Sequence, residues 1–144
     1  MQAQLEQLEH VLFGGVSHPG AITLGEKLLA CLPENQARLF FSDNGSTAIE
    51  VALKMSVQYH LNKGQKRSGV IAFEQAYHGD TFGAMAASGI GLYNEVFANH
   101  LLPVNRIPIP SNTNIDALCE ELTQLIEKQQ PAAFIFEPLV QGAA

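Results

Sequence analysis

The polar segment Ser42–Thr47, with the sequence SDNGST, follows an apolar run and opens directly into a helical pattern. Backbone N–H groups in the first turn of a helix have no partner within the helix, and the helix dipole favours an anion beside them. The hydroxyls of Ser46 and Thr47 can add hydrogen bonds to that anion. The segment therefore predicts a phosphate-binding turn, with an ordinary capped helix as the alternative.

A second polar segment, Tyr77–Thr81 with the sequence YHGDT, follows another short apolar run. The Tyr77 ring can stack on a planar heteroaromatic ligand, a contact worth about 0.5–1.5 kcal/mol beyond its buried area. Gly79 would let the backbone bend close to such a ligand. A half-buried core tyrosine is the alternative for Tyr77 taken alone, and His78 fits a structural role better than a catalytic one.

Glu137 and Pro138 follow a third apolar run. A single carboxylate at a strand end is either a solvated loop charge or part of a site. Ligands of open parallel sheets bind beyond the carboxyl ends of the strands, so the anion turn, the aromatic ring and the acid are expected at one sheet edge. This coincidence indicates a small-molecule site more strongly than any one motif does.

The elements that must position these motifs are short buried strands alternating with helices. This order predicts an α/β fold with a mostly parallel sheet and flanking helices. The predicted strands are Arg38–Phe41, Gly69–Phe73 and Ala132–Phe136, the predicted helices are Ile22–Leu32, Thr47–Leu61 and Asn114–Lys128, and a loop is predicted over Phe13–Gly20.

The 144 residues, 47% of them hydrophobic, amount to one domain. With 8 basic and 14 acidic side chains the net charge is −6, which argues against a nucleic-acid partner. No apolar run of membrane length and no leader pattern occurs, and Cys31 and Cys119 form no CxxC pair. The five histidines make no HxH or HxxxH spacing, so no metal site is expected. We expect a cytoplasmic protein with reduced cysteines.

Together these motifs resemble the class III, fold type I aminotransferases, which use pyridoxal 5'-phosphate (PLP). Phe40–Met55, Tyr77–Thr81 and Phe136–Pro138 carry the resemblance, which extends to His10–Pro19 and so to essentially the whole chain. The SDNGST turn and Asp80 resemble one branch of the class, which transfers the amino group of S-adenosylmethionine to 8-amino-7-oxononanoate in biotin biosynthesis, giving 7,8-diaminopelargonate. Other members more often carry a Ser-Gly-x-Glu-Ala turn.

The resemblance implies roles for the site residues in the large PLP-binding domain. It places Gly45, Ser46 and Thr47 on the cofactor phosphate, and Tyr77 on the pyridine ring. It also places Glu137 under the cofactor as polar support.

Two further roles follow from the same resemblance. Asp80, with Tyr77, would shape the substrate side of the site. Leu12 and Gly14 belong to a segment similar to one that reaches the partner subunit's site, which implies a homodimer.

The same resemblance implies that parts of the family are missing. The lysine that forms the Schiff base and the aspartate that pairs with the pyridine nitrogen have no counterpart, because Lys54 lies within the predicted helix and Lys63 lies at its far end. We therefore expect residues 1–144 to be an incomplete large domain that is inactive alone. The family's N-terminal segment, later large-domain part and C-terminal small domain would be absent.

Two other functions stay open. One is a different class III ω-aminotransferase, of the ornithine or acetylornithine type. The other is a non-catalytic βαβ module that binds a phosphorylated ligand or a dinucleotide. No GxGxxG motif follows the first predicted strand, and the nearest approach, Gly89-Ile90-Gly91, follows a small-residue run instead.

Overall fold

The computed structural model describes residues 1–139. They divide into two compact units, Met1–Phe41 and a second unit that begins at Ser42. The first unit contains helices α1 (Gln2–Leu5) and α2 (Pro19–Cys31). The second contains α3 (Gly45–Asn62), β1 (Val70–Phe73), α4 (Phe82–Ala87), α5 (Gly91–Asn94), a 3-10 helix (Glu95–His100), β2 (Val104–Ile107), α6 (Ile115–Gln129) and β3 (Ala133–Ile135). None of these helices is long and apolar enough to cross a membrane.

The three strands form one parallel sheet in the order β2-β1-β3. Val70 of the central strand is in register with Val104 on one side and Ala133 on the other. Val70, Ile71 and Ala72 are all buried, as expected for a parallel strand that is covered on both faces. The predicted parallel sheet is confirmed, and so is the parallel pairing of the strands predicted at Gly69–Phe73 and Ala132–Phe136.

The prediction of a strand over Arg38–Phe41 is wrong, because this run belongs to neither a helix nor a strand. Phe40 is 64% exposed, and the Phe41 ring stacks on Phe13 with the ring centroids 5.6 Å apart. A four-residue apolar run does not by itself specify a strand, since it also needs a paired neighbour. The second neighbour of β1 is β2, whose polar Asn105 and Arg106 hide the strand pattern in the sequence.

Helix α3 begins at a capping box and ends near Gly64, whose φ of +72° suits a helix stop. Helix α6 buries Leu118 against Ile71 and Ile107, which form the centre of the core. Both helices lie where the sequence predicts them. The buried helix α4 was not predicted, because its run of glycine and alanine lacks an apolar stripe.

Candidate functional site

The turn before α3 leaves two backbone amides open. Asn44 caps the helix: its Oδ1 accepts a hydrogen bond from the Thr47 amide at 2.9 Å, and Thr47 Oγ1 accepts one from the Asn44 amide at 3.2 Å. Thr47 Oγ1 is also hydrogen-bonded to Ser42 Oγ. Among residues 1–139, the amides of Gly45 and Ser46 have no acceptor. They stand at the positive end of an 18-residue helix, which favours an anion there.

The Tyr77–Asp80 segment lies directly against this turn. The Asp80 amide donates to Ser46 Oγ at 3.1 Å, which leaves the Ser46 hydroxyl hydrogen available for another acceptor. Gly79 is buried with φ +131°, and a Cβ there would lie 2.9 Å from Ser46 Cα. The close approach that Gly79 permits is therefore to Ser46. The sequence instead predicts that the backbone at Gly79 approaches a ligand.

Tyr77 and Asp80 face an open cavity of about 500 Å³, which Met85 and Tyr93 also line. The Tyr77 hydroxyl donates to Asp80 Oδ2 at 2.8 Å. This hydrogen bond to the carboxylate raises the pKa of Tyr77 above its ordinary value of 10. Sequence reasoning did not identify Met85 or Tyr93, because no motif marks them.

His78 is held by the fold. Its amide donates to the buried Ser88 Oγ at 2.9 Å, and the side chain is half-buried. Burial lowers the pKa of His78 below 6.5, while Glu137 opposes that shift and Arg106 adds to it. The structural role expected for this histidine agrees with these contacts.

Glu137 is half-buried and lines a small cavity with Glu74, Gln75 and Ala76, which directly follow β1. The acid after β3 and the polar segment after β1 are thus neighbours, as expected for the carboxyl ends of adjacent parallel strands. The expected clustering of Ser42, Tyr77 and Glu137 stays a prediction, since Ser42 does not follow a strand.

Two charged side chains that sequence reasoning did not assign hold α4. The Glu50 carboxylate accepts hydrogen bonds from the Gly83 and Ala84 amides. Arg106 donates to the carbonyls at the other end of the helix. Neither role carries a local sequence signal, because each depends on contacts between residues about 20 to 35 positions apart.

Lys54 and Lys63 lie away from the anion turn. All five lysines of the chain are exposed. Lys54 and Lys63 lie about 14 and 27 Å along the helix axis from Gly45, at 1.5 Å per residue. Lys63 Nζ lies 4.4 Å from the centroid of the Tyr59 ring. Neither side chain is placed to serve the site.

Leu12 and Gly14 lie in the first unit. Leu12 is 64% exposed, and Gly14 is exposed too. Across the described chain, 1–139, no group of three or more His, Cys, Asp and Glu side chains is arranged to hold a metal ion.

The sequence model of the family "Aminotransferase class-III" matches residues 1–144. The chain belongs to the class-III aminotransferase family. Similar curated proteins are the adenosylmethionine-8-amino-7-oxononanoate aminotransferases of Synechococcus elongatus, at 47% identity over 97% of this chain, and of Geobacter sulfurreducens, at 36% over 99%. The chain spans about 35% of the length of these relatives.

Solved structures give the same result for the fold. An adenosylmethionine-8-amino-7-oxononanoate aminotransferase from Methanocaldococcus jannaschii is 30% identical, with a TM-score of 0.83 over 92% of this chain and 30% of its own. A PLP-bound amine transaminase from an uncultivated Pseudomonas species is also 30% identical, with a TM-score of 0.83 over 96% of this chain and 35% of its own. The family resemblance and the α/β fold expected from the sequence are confirmed.

Proposed function

We propose that this chain forms part of the PLP-binding domain of an aminotransferase that moves the amino group of S-adenosylmethionine to 8-amino-7-oxononanoate, giving 7,8-diaminopelargonate in biotin biosynthesis. The observation that carries the proposal is the contact between the Gly45–Ser46 turn and the Tyr77–Asp80 segment, which joins an anion site to an aromatic ring. The curated relatives that bear this activity in their names support the choice of substrates.

The turn fits the phosphate group of the cofactor. Gly45 and Ser46 offer two amides at a helix N-terminus, the Ser46 hydroxyl can donate a third hydrogen bond, and a Cβ on Gly45 would meet nothing within 4 Å. Thr47 fits less well, since its amide and hydroxyl are already bonded to Asn44 and Ser42. We keep Thr47 as a proposed ligand that would have to exchange one of these bonds.

The cavity beside the turn fits the rest of the cofactor and its substrate. The half-exposed Tyr77 ring offers a stacking face, and the Asp80 carboxylate presents a negative charge to the positively charged sulfonium of the amino donor. Glu137 would lie under the cofactor as polar support. PLP, when bound, supplies the electron sink for amino transfer, while these side chains bind it and orient the substrate.

The assembly and location of the whole protein are proposed on the same grounds. We propose a homodimer in which the segment with Leu12 and Gly14 reaches the partner's site, and a cytoplasmic location. The partners would be the two small-molecule substrates, with neither nucleic acid nor membrane involved. The net charge of −6 agrees with the exclusion of nucleic acid.

Residues 1–144 on their own should not transaminate. Their five lysines are exposed, and Lys54 and Lys63 lie away from the Gly45–Ser46 turn. Incubation with PLP, borohydride reduction and peptide mapping should find only scattered adducts on surface lysines. A specific adduct on a single lysine would contradict this expectation.

A pair of substitutions in a full-length protein that contains this chain tests the cofactor assignment. Ser46→Ala removes a donor to the phosphate, and we expect PLP binding to weaken by roughly 1–3 kcal/mol. Tyr77→Phe keeps the ring, so cofactor should be retained while turnover changes. Ser56→Ala is the matched control, because Ser56 lies on the same helix and its hydroxyl donates to the Ala52 carbonyl.

PLP titration and steady-state rates give the readout for these three variants. If Ser46→Ala binds PLP as tightly as the parent protein, the turn is only a helix cap and the cofactor assignment fails. Loss of affinity in Ser56→Ala to the same extent would point to general damage to α3.

A different ω-aminotransferase is the second candidate, because structural neighbours include an (S)-enantioselective omega-transaminase from Thermomicrobium roseum with a TM-score of 0.88 at 28% identity. A donor panel with S-adenosylmethionine, ornithine, acetylornithine and a simple chiral amine separates the candidates. The proposed function requires the highest kcat/KM with S-adenosylmethionine.

A further inference from the structure

Helix α4 depends on contacts with other elements to hold its position. It has six residues, and helices this short are not stable in isolation. Its residues from Gly83 to Ala87 are buried, so the unpaired amides at its start and carbonyls at its end must find protein partners.

The start of α4 is paired by α3. The Oε1 atom of Glu50 accepts hydrogen bonds from the amides of Gly83 at 2.6 Å and Ala84 at 3.3 Å. A carboxylate at this end of a helix also interacts favourably with the helix dipole.

The end of α4 is paired by β2. Arg106 Nη2 donates to the carbonyls of Ala86 at 2.6 Å and Ser88 at 2.7 Å, and Nη1 donates to that of Ala87 at 3.1 Å. Asn94 adds bonds to the carbonyls of Met85 and Ser88. The planar guanidinium suits this cluster, because it presents several donors in a fixed arrangement.

The end of α4 is also joined to the segment that carries the site. The amide of His78 donates to Ser88 Oγ at 2.9 Å, and the amide of Gly89 donates to the Ala76 carbonyl at 2.7 Å. Asp80 lies one residue before Thr81, the N-cap of α4. These contacts join both ends of the Tyr77–Asp80 segment to α4. A shift of α4 would therefore move both Tyr77 and Asp80.

We propose that Arg106 is a positioning residue for the substrate side of the site: by fixing the end of α4, it sets where Tyr77 and Asp80 face the cavity. Arg106 does not line that cavity, so it acts through the helix. The inference rests on the proposed function for its kinetic consequence but not for its structural one.

The test compares Arg106→Met and Arg106→Lys with the parent in a full-length protein that contains this chain. Lys66→Met is the matched control, because Lys66 is an exposed cation. Hydrogen–deuterium exchange is followed in peptides covering residues 77–89 and 47–61. PLP affinity, kcat and the KM for S-adenosylmethionine are measured on the same preparations.

We expect Arg106→Met to speed exchange in residues 77–89 selectively and to raise the KM about tenfold, in line with the loss of hydrogen bonds to a charged group. PLP affinity should change less than the KM, since Gly45 and Ser46 stay in place. Arg106→Lys should recover part of both effects, because one ammonium cannot reach all three carbonyls.

Other results would overturn the proposal. Unchanged exchange in residues 77–89, or an unchanged KM with only a lower melting temperature, would reduce Arg106 to a stabilising residue. If Arg106→Met does not fold, the same criteria apply to Arg106→Lys. A parent protein without transaminase activity would refute the proposed function instead, and the exchange measurement would still decide whether Arg106 positions the segment.

Discussion

The region around α4 and the first unit differ in how far their side chains are buried. From Gly83 to Ser88 every residue is buried, and the polar groups at both ends of the helix are paired with side chains from α3 and β2. In the first unit, Met1–Phe41, no residue is buried. Several of its large apolar side chains are exposed to solvent, among them Leu12 at 64%, Val16 at 51% and Ile22 at 52%.

The two regions therefore differ in what fixes their conformation. At the two ends of α4, the amides of Gly83 and Ala84 and the carbonyls from Ala86 to Ser88 each have a side-chain partner from another element, which favours one arrangement. The first unit has 41 residues, a length at which a chain rarely builds a stable core of its own. Its exposed apolar side chains therefore need contacts outside their own unit to contribute to stability.

The largest effect should come from Gly79→Ala. The new residue would combine a backbone at φ +131° with a Cβ too close to Ser46. Unfavourable backbone regions cost about 1–3 kcal/mol, and the clash adds to that cost. We expect a loss of unfolding free energy above about 3 kcal/mol in urea titration, together with loss of PLP binding.

Gly64→Ala is the control for this substitution. Gly64 also has a positive φ, +72°, but a Cβ there would meet nothing within 4 Å. It should cost only about 1–2 kcal/mol. Equal losses for both variants would mean that the contact with Ser46 is unimportant.

A smaller effect is expected from Ser88→Ala. Ser88 is 2% exposed, and its hydroxyl both accepts from the His78 amide and donates to the Ala84 carbonyl. Removing it leaves a half-buried amide unpaired, which should lower the unfolding free energy by about 1–3 kcal/mol. Ser56→Ala, which removes a hydroxyl that donates to the Ala52 carbonyl on α3, should lower the unfolding free energy by less than half as much. An equal loss in both variants would contradict the role given to Ser88 in pairing the His78 amide.

The sequence predicted those parts of the fold and site that depend on neighbouring residues. The helix predicted over Thr47–Leu61 and the strand predicted at Gly69–Phe73 are specified by local patterns, and both are confirmed. The contact between Ser46 and Asp80 did not follow from strand topology, because no strand precedes the Ser42–Thr47 turn. The pairing of Arg106 with α4 could not be predicted, since it joins residues about 20 positions apart without a motif.

The wrong strand has a physical explanation. Arg38–Phe41 is the more apolar of the two four-residue segments, yet Val104–Ile107 is the one that forms a strand. Pairing with β1, however, is decided by backbone register and by where the chain enters the sheet, neither of which hydropathy records.

Protonation of His78 should make the second unit sensitive to acid. Because burial lowers the pKa of His78 below 6.5, the unfolded chain binds the proton more tightly than the folded chain. The unfolding free energy should therefore fall as the pH drops through about 6.5, by at most about 1.4 kcal/mol per pH unit. Urea titrations of His78→Gln between pH 7.5 and 5 should show a shallower decline than the parent, and equal slopes would refute this assignment.

The smallest effect on stability is expected in the first unit. Leu12→Ser replaces a side chain that is 64% exposed, so the unfolding free energy of residues 1–144 should change by no more than about 0.5 kcal/mol.

In a full-length protein that contains this chain, the proposed homodimer would bury Leu12 at the partner's site. There the same substitution should weaken dimerisation and lower turnover, as measured by sedimentation and steady-state rates. Leu139→Ser, at an apolar side chain 74% exposed in the second unit, is the control. Because both leucines are exposed, equal dimerisation in both variants would contradict the proposed role of Leu12 in the homodimer.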